Sequence, residues 1–169
     1  MDSNHTKGAI HYLVGDATAP QGDGPRIIAH VCNDLGRWGR GFVLALSKRW
    51  HEPEARFRAW HRNEVQGAPP FELGQVQFVA IESDLWVANM IGQHGIVPKD
   101  GVQPVRYEAI RSALMTVSRF AKEHHASVHM PRIGCGVAGG TWDIVGPIVQ
   151  QTLADAGVNV FVYDLPSKD

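Results

Sequence analysis

The stretch Arg26-Ile27-Ile28-Ala29-His30-Val31-Cys32 is mostly apolar and runs straight into Asn33-Asp34-Leu35-Gly36-Arg37-Trp38-Gly39-Arg40-Gly41. A short, nearly continuous apolar run of this kind reads as a strand covered on both faces. The glycine-rich segment behind it gives way to a helical pattern from Gly41 to Trp50. A second helix follows over Glu52 to Arg62, with Pro53 in its first turn. Strand, long glycine loop, helix is the unit from which the remaining chain is read.

That alternation recurs on both sides. Ile10 to Val14 reads as a strand closed by Gly15-Asp16. Val76 to Ile81 and Leu85 to Met90 form a hairpin around Glu82-Ser83-Asp84. Pro104 to about Glu123 is a long helix, because Val105, Ala109, Ile110, Ala113, Leu114, Val117, Phe120 and Ala121 make one apolar stripe. Ser127 to Met130 is a short strand. Trp142 to Ala156 is a helix stopped by Gly157 and interrupted by Pro147, and Val158 to Tyr163 is the last strand. Repeated strand-then-helix order predicts an α/β protein, a three-layer α/β/α sandwich with a mixed central sheet. The length of 169 residues suits a single domain over 1–169.

Composition narrows the function classes. The charge is balanced, with 16 Lys and Arg against 17 Asp and Glu, so broad phosphate neutralisation is disfavoured and nucleic acid is not the expected partner. Two cysteines, Cys32 and Cys135, cannot build a disulfide framework and point to a reducing, cytoplasmic setting. No apolar stretch approaches the roughly 20 residues that cross a bilayer, so no membrane association is expected. The nine histidines show no zinc spacing, so no metal is expected.

In sheets of this type ligands sit beyond the carboxyl ends of the strands. Two strand-to-helix junctions here are long and rich in glycine. One is Asn33 to Gly41; the other is Pro131-Arg132-Ile133-Gly134-Cys135-Gly136-Val137-Ala138-Gly139-Gly140. Successive backbone N–H groups and a helix N-terminus make each an anion nest, and a pair on one sheet edge suits a diphosphate. Gly134-x-Gly136-x-x-Gly139 with a later Asp164 also matches a dinucleotide fingerprint in letters. The spacer Pro131-Arg132-Ile133 between strand and first glycine speaks against that reading.

At these residues the chain resembles a macrodomain, the ADP-ribose-binding α/β/α fold, over nearly its whole length. The resemblance rests on Gly15-Asp16, Ala29 to Asn33 (AHVCN), Gly36 to Gly41 (GRWGRG), Met130 to Gly136 (MPRIGCG), Trp142 and Val162 to Leu165 (VYDL). It points to the branch containing the terminal ADP-ribose protein glycohydrolase and the fungal ADP-ribose-1″-phosphate phosphatase. It implies that Asp16 accepts a hydrogen bond from the adenine amino group, with Tyr163 against the adenine and Leu165 nearby. The diphosphate and distal ribose would lie on Gly36, Arg37, Trp38, Gly39, Arg40 and Gly41, and on Ile133, Gly134, Cys135, Gly136, Val137, Ala138 and Gly139. No cofactor is implied; ADP-ribose is ligand or product.

The chain departs from the family where the chemistry sits. The glycohydrolase lysine that follows the fourth strand has no counterpart in Val87-Ala88-Asn89-Met90-Ile91, and methionine has no nucleophilic amine. The aspartate two positions after GCG is replaced by Ala138, and Phe42-Val43 stand where the MacroD-like branch has an aspartate. The polar groups left near the presumed distal ribose are His30, Asn33, Asp34, Gln93 and His94; Asn33 would orient the ribose, and Asp34, His94 or the substrate's own diphosphate would position a water. The leading expectation is a hydrolase that frees mono-ADP-ribose from glutamate side chains of ADP-ribosylated proteins. An ADP-ribose-1″-phosphate phosphatase, a non-catalytic ADP-ribose reader and action on ADP-ribosylated nucleic acid stay open.

Overall fold

Period-two patterning decides which side of each strand meets which helices. In the computed structural model, which describes residues 7–167, the strands are β1 (Ile10–Val14), β2 (Arg26–Asn33), β3 (Val76–Glu82), β4 (Leu85–Gln93), β5 (Ser127–Met130) and β6 (Val160–Asp164). They form one sheet in the order β1-β6-β5-β2-β4-β3. All neighbours run parallel except the β3–β4 hairpin, so the sheet is mixed, as the sequence predicts. The helices are α1 (Phe42–Arg49), α2 (Glu52–His61), α3 (Tyr107–His124) and α4 (Trp142–Thr152).

Alternate residues of β2 and β4 feed two separate cores. Ile27, Ala29, Ala88 and Met90 pack with Ile110, Leu114 and Val117 of α3 and with Val145 and Val149 of α4. Ile28, Cys32, Val87 and Ile91 pack with Leu46 of α1 and with Phe57 and Trp60 of α2. Each such large apolar side chain contributes about 1.5–3 kcal/mol on burial. The mostly apolar run of β2 is therefore needed by both layers.

The second core also holds a polar network. His30 Nε2 lies 2.6 Å from Asn89 Oδ1. Asn89 Nδ2 donates to Gln77 Oε1 at 3.0 Å, and Gln77 Nε2 donates to the Arg56 carbonyl at 2.9 Å. Because Asn89 Nδ2 is a donor in this chain, its Oδ1 accepts and the His30 proton belongs on Nε2. Burial pushes the His30 pKa down to about 4.

Several boundaries differ from those the patterning predicts. Helix α3 begins at Tyr107 rather than Pro104, because residues 104–106 are drawn into the sheet edge. The Pro104 carbonyl accepts from His94 N–H, Val105 N–H donates to the Ala138 carbonyl, and Arg106 N–H donates to the Gly92 carbonyl. Strand β4 runs on to Gln93, which places Met90 deep in the sheet and fully buried rather than at its end. Helix α4 keeps Pro147 in its interior and ends at Thr152. A 3₁₀ turn over Ala154–Ala156 then leads to Gly157 at φ 98°, the left-handed stop foreseen there. Strand β6 accordingly starts at Val160. Among the described residues no helix is long and apolar enough to cross a membrane.

Candidate functional site

The two glycine loops leave the sheet at the carboxyl ends of β2 and β5, which are adjacent strands. Between them lies a cleft of about 480 Å³. At its β1–β6 end it is lined by Gly15, Asp16, Tyr163 and Leu165; along its walls by Arg40, Gly41, Phe42, Ile133, Gly134, Gly136, Val137 and Ala138; at its β2–β4 end by Gln93. A smaller cavity of about 250 Å³ continues from that last end. It shares Val31, Arg40, Val43, Gln93 and Val137 with the cleft and adds Asn33, Arg37, Trp38 and Gly39.

Each end is built by local hydrogen bonds within a loop together with others that reach across the fold. Asp16 Oδ1 accepts from the Thr18 N–H at 2.8 Å and from Thr18 Oγ1 at 2.7 Å, and its Oδ2 is 3.9 Å from Arg49 Nη2. The Tyr163 hydroxyl accepts from the Gln21 N–H at 2.9 Å and meets His129 Nδ1 at 2.7 Å. The other His129 nitrogen meets Ser127 Oγ at 2.8 Å. Burial, with the Arg26 charge behind it, pushes the His129 pKa down to about 4, and burial raises that of Tyr163. Tyr163 lines the cleft yet is only 4% exposed.

Arg132, on the cleft wall, binds Asp164 through Nε at 2.8 Å and Nη2 at 3.0 Å. Its guanidinium caps the edge-to-face Tyr12–Trp142 pair, 5.3 Å and 5.4 Å from the two ring centroids. That bidentate bond raises the Arg132 pKa and holds the Asp164 carboxyl below its usual value. Trp142 therefore backs Arg132 and does not line the cleft.

At the opposite end Asn33 clamps its own loop. Its Oδ1 accepts from the N–H groups of Leu35 and Arg37, each at 3.0 Å, and its Nδ2 donates to the Arg37 carbonyl at 2.9 Å. One Nδ2 hydrogen is left for a ligand. Asp34 and His94 come together although sixty residues separate them: Asp34 Oδ2 is 2.7 Å from His94 Nδ1, and Asp34 Oδ1 accepts from the Gly95 N–H at 2.8 Å. The contact exists because β2 and β4 pair with an irregularity that sets Asn33 opposite Gln93. Neither Asp34 nor His94 lines the cleft or the smaller cavity; they flank its Asn33–Gln93 end.

Some residues expected to face a ligand do not. Gly36 turns inward, and a Cβ there would collide with the His61 ring. Gly139 likewise abuts the Gln103 side chain. Cys135 packs on the core and donates its thiol to the Ile133 carbonyl at 3.3 Å. Trp38 is 4% exposed, bonded through Nε1 to Ser47 Oγ at 2.8 Å, and reaches only the smaller cavity. By contrast Gly39 and Gly136 have open space where a Cβ would stand. Gly36→Ala is expected to destabilise the protein by about 2 kcal/mol or more, since it adds overlap with His61 to a φ of +74°; urea denaturation reads this directly.

Gln93, singled out in the sequence for its place after the fourth strand, lines the cleft, as do Phe42 and Arg132, which the sequence did not single out. Phe42 and Arg132 carry no local mark. Among the described residues no three His, Cys, Asp or Glu side chains gather into a group that would hold a metal.

A mixed α/β/α sandwich with a cleft between two glycine loops beyond the strand ends places a pocket where sheets of this class hold their ligands, flanked by backbone N–H groups suited to an anion. No family model matches the chain. A macrodomain protein from Streptomyces coelicolor is 56% identical, with 92% of this chain and 99% of that one covered and a TM-score of 0.80. The chain belongs to the macrodomain family. Chromodomain-helicase-DNA-binding protein 1-like of Danio rerio is 31% identical over 96% of this chain. The chain spans only 16% of that relative's length. At 18% identity and a TM-score of 0.72, Thermosipho africanus DarTG, solved in complex with ADP-ribose, shares the fold over 95% of this chain and 42% of its own.

Proposed function

We propose that this macrodomain binds ADP-ribose in the cleft and hydrolyses mono-ADP-ribose from glutamate side chains of proteins. The observation that carries the reading is the continuous cleft between both glycine loops, with the Asp34–His94 pair at the far end from Asp16 and Tyr163. The adenine lies at the β1–β6 end by Asp16 and Leu165. The diphosphate takes the backbone N–H groups beside Gly41 and Gly136. The distal ribose reaches Asn33 and Gln93.

Asp34 accepts the Nδ1 proton of His94 and fixes that tautomer, which leaves Nε2 free to take a proton from the attacking water. A glutamate ester leaves as a carboxylate, so a positioned water and a stabilised sugar centre suffice. A covalent lysine route has no support, since Met90 is buried within β4. The branch shared with the terminal glycohydrolase and the fungal phosphatase belongs to this proposal as well. One observation favours a non-catalytic reader instead: neither Asp34 nor His94 lines the cleft.

Following ADP-ribose release from a glutamate-modified protein decides between them. Multiple turnovers are expected, with Asp34→Asn and His94→Ala each lowering kcat by about 100-fold, the lower end of general-base effects. Bound substrate with no release would leave the reader. Unchanged rates in both variants would move water positioning to the substrate's own diphosphate.

A further inference from the structure

The smaller cavity is lined by three arginines, Arg37, Arg40 and Arg58, and among the described residues by no carboxylate or histidine. Arg58 is paired, its Nε 2.9 Å from Glu54 Oε2. Arg37 and Arg40 are exposed and make no ion pair or side-chain hydrogen bond among the described residues. The cavity opens from the cleft at the β2–β4 end, opposite Asp16 and Tyr163. A ligand with its adenine at the β1–β6 end therefore directs whatever is attached to its distal ribose into this cavity.

We propose that Arg37 and Arg40 receive the acceptor group as it leaves the distal ribose as an anion, and so restrict the site to linkages whose acceptor departs without a proton. The inference rests on the orientation given under the proposed function and adds a specificity determinant to it. In the reaction the water oxygen bonds to the anomeric carbon and the bond from that carbon to the acceptor oxygen breaks. The electron pair leaves on the acceptor oxygen, one water proton passes to His94 Nε2, and the other stays on the new hydroxyl. A glutamate acceptor, with a carboxyl pKa of about 4.3, leaves as a carboxylate at neutral pH. A phosphate acceptor leaves as an anion too. A serine acceptor leaves as an alkoxide that needs a proton from an acid on its own side of the sugar, opposite the water that His94 activates, and the guanidinium groups lining that side keep theirs. The Cys32 thiol, also on the wall, is buried and holds its proton more tightly than an ordinary thiol.

Two measurements test this. Peptides of one sequence carrying ADP-ribose on glutamate or on serine are compared: glutamate release is expected at least ~100-fold faster, and Arg37→Gln/Arg40→Gln is expected to cut kcat on glutamate at least ~10-fold, with a smaller change in KM. Comparable serine cleavage, or an unchanged kcat in the double variant, overturns the inference. The second readout needs no peptide turnover. ADP-ribose 1″-phosphate is expected to compete ~10-fold more strongly than ADP-ribose for the wild-type cleft, and equally for the double variant. A preference that survives in the double variant, or that is absent from the wild type, also overturns it. If ADP-ribose binds and neither peptide is cleaved, the hydrolase reading fails while this ratio still decides the arginine pocket. Release of inorganic phosphate would identify phosphate as a reacting acceptor; binding without release leaves the carboxylate in that role.

Discussion

Gly136→Glu is expected to weaken ADP-ribose binding at least ~100-fold while shifting Tm by no more than ~2 °C. The two halves of this outcome have separate causes. Gly136 lines the cleft, and a Cβ there meets nothing within 4 Å. Its φ lies outside the left-handed region, so the backbone tolerates a side chain and the fold is spared. The added carboxylate stands beside the nest that would hold the diphosphate, and like charges brought together in an interface cost several kcal/mol; a 100-fold loss is about 2.7 kcal/mol. Calorimetric titration with ADP-ribose and a thermal melt of the same sample separate the two. Tight binding by this variant would move the ligand out of the cleft altogether.

Acidification from pH 7 to pH 5 is expected to remove about 4 kcal/mol of folding stability, roughly half through each of two histidines. His30 and His129 are both fully buried and held near pKa 4, against about 6.5 in the unfolded chain. Between those values the unfolded state binds more protons than the native one, so stability rises with pH across the window and falls as pH drops through it. Above pH 6.5 the contribution is fully present. Asp164, held low by Arg132, also loses stability as pH falls, but only near and below the ordinary aspartate value, so it stays out of this window. Urea titrations at pH 7, 6 and 5 give the slope, and histidine ring resonances that stay neutral down to pH 5 would assign it. A flat stability profile across that range would overturn the assignment.

The histidine pair shows how far local pattern carries. His30 sits inside RIIAHVC and His129 inside SVHM, so burial of both was legible from the apolar neighbours. Their partners were not. Asn89 meets His30 across the β2–β4 pair, and Tyr163 meets His129 across β5–β6; each contact depends on strand register, which no single segment encodes. The Asp34–His94 pair has the same origin. Both residues were legible as polar groups at loop starts, and their 2.7 Å contact follows from an irregularity in the β2–β4 register.

By itself the sequence determined the order of strands and helices, the mixed three-layer class and the two loops that bound the cleft. Those features follow from apolar period and from glycine, and both act over a few residues. Only the tertiary structure decided which loop residues face the cleft. Gly36 and Gly136 look alike in the chain, yet one abuts His61 of α2 and the other meets open space. It also decided that Pro104 to Arg106 join the sheet edge rather than α3, because Gly92, His94 and Ala138 supply hydrogen-bond partners there. A backbone group takes the partner that the fold brings to it, and such partners are set by contacts distant in sequence.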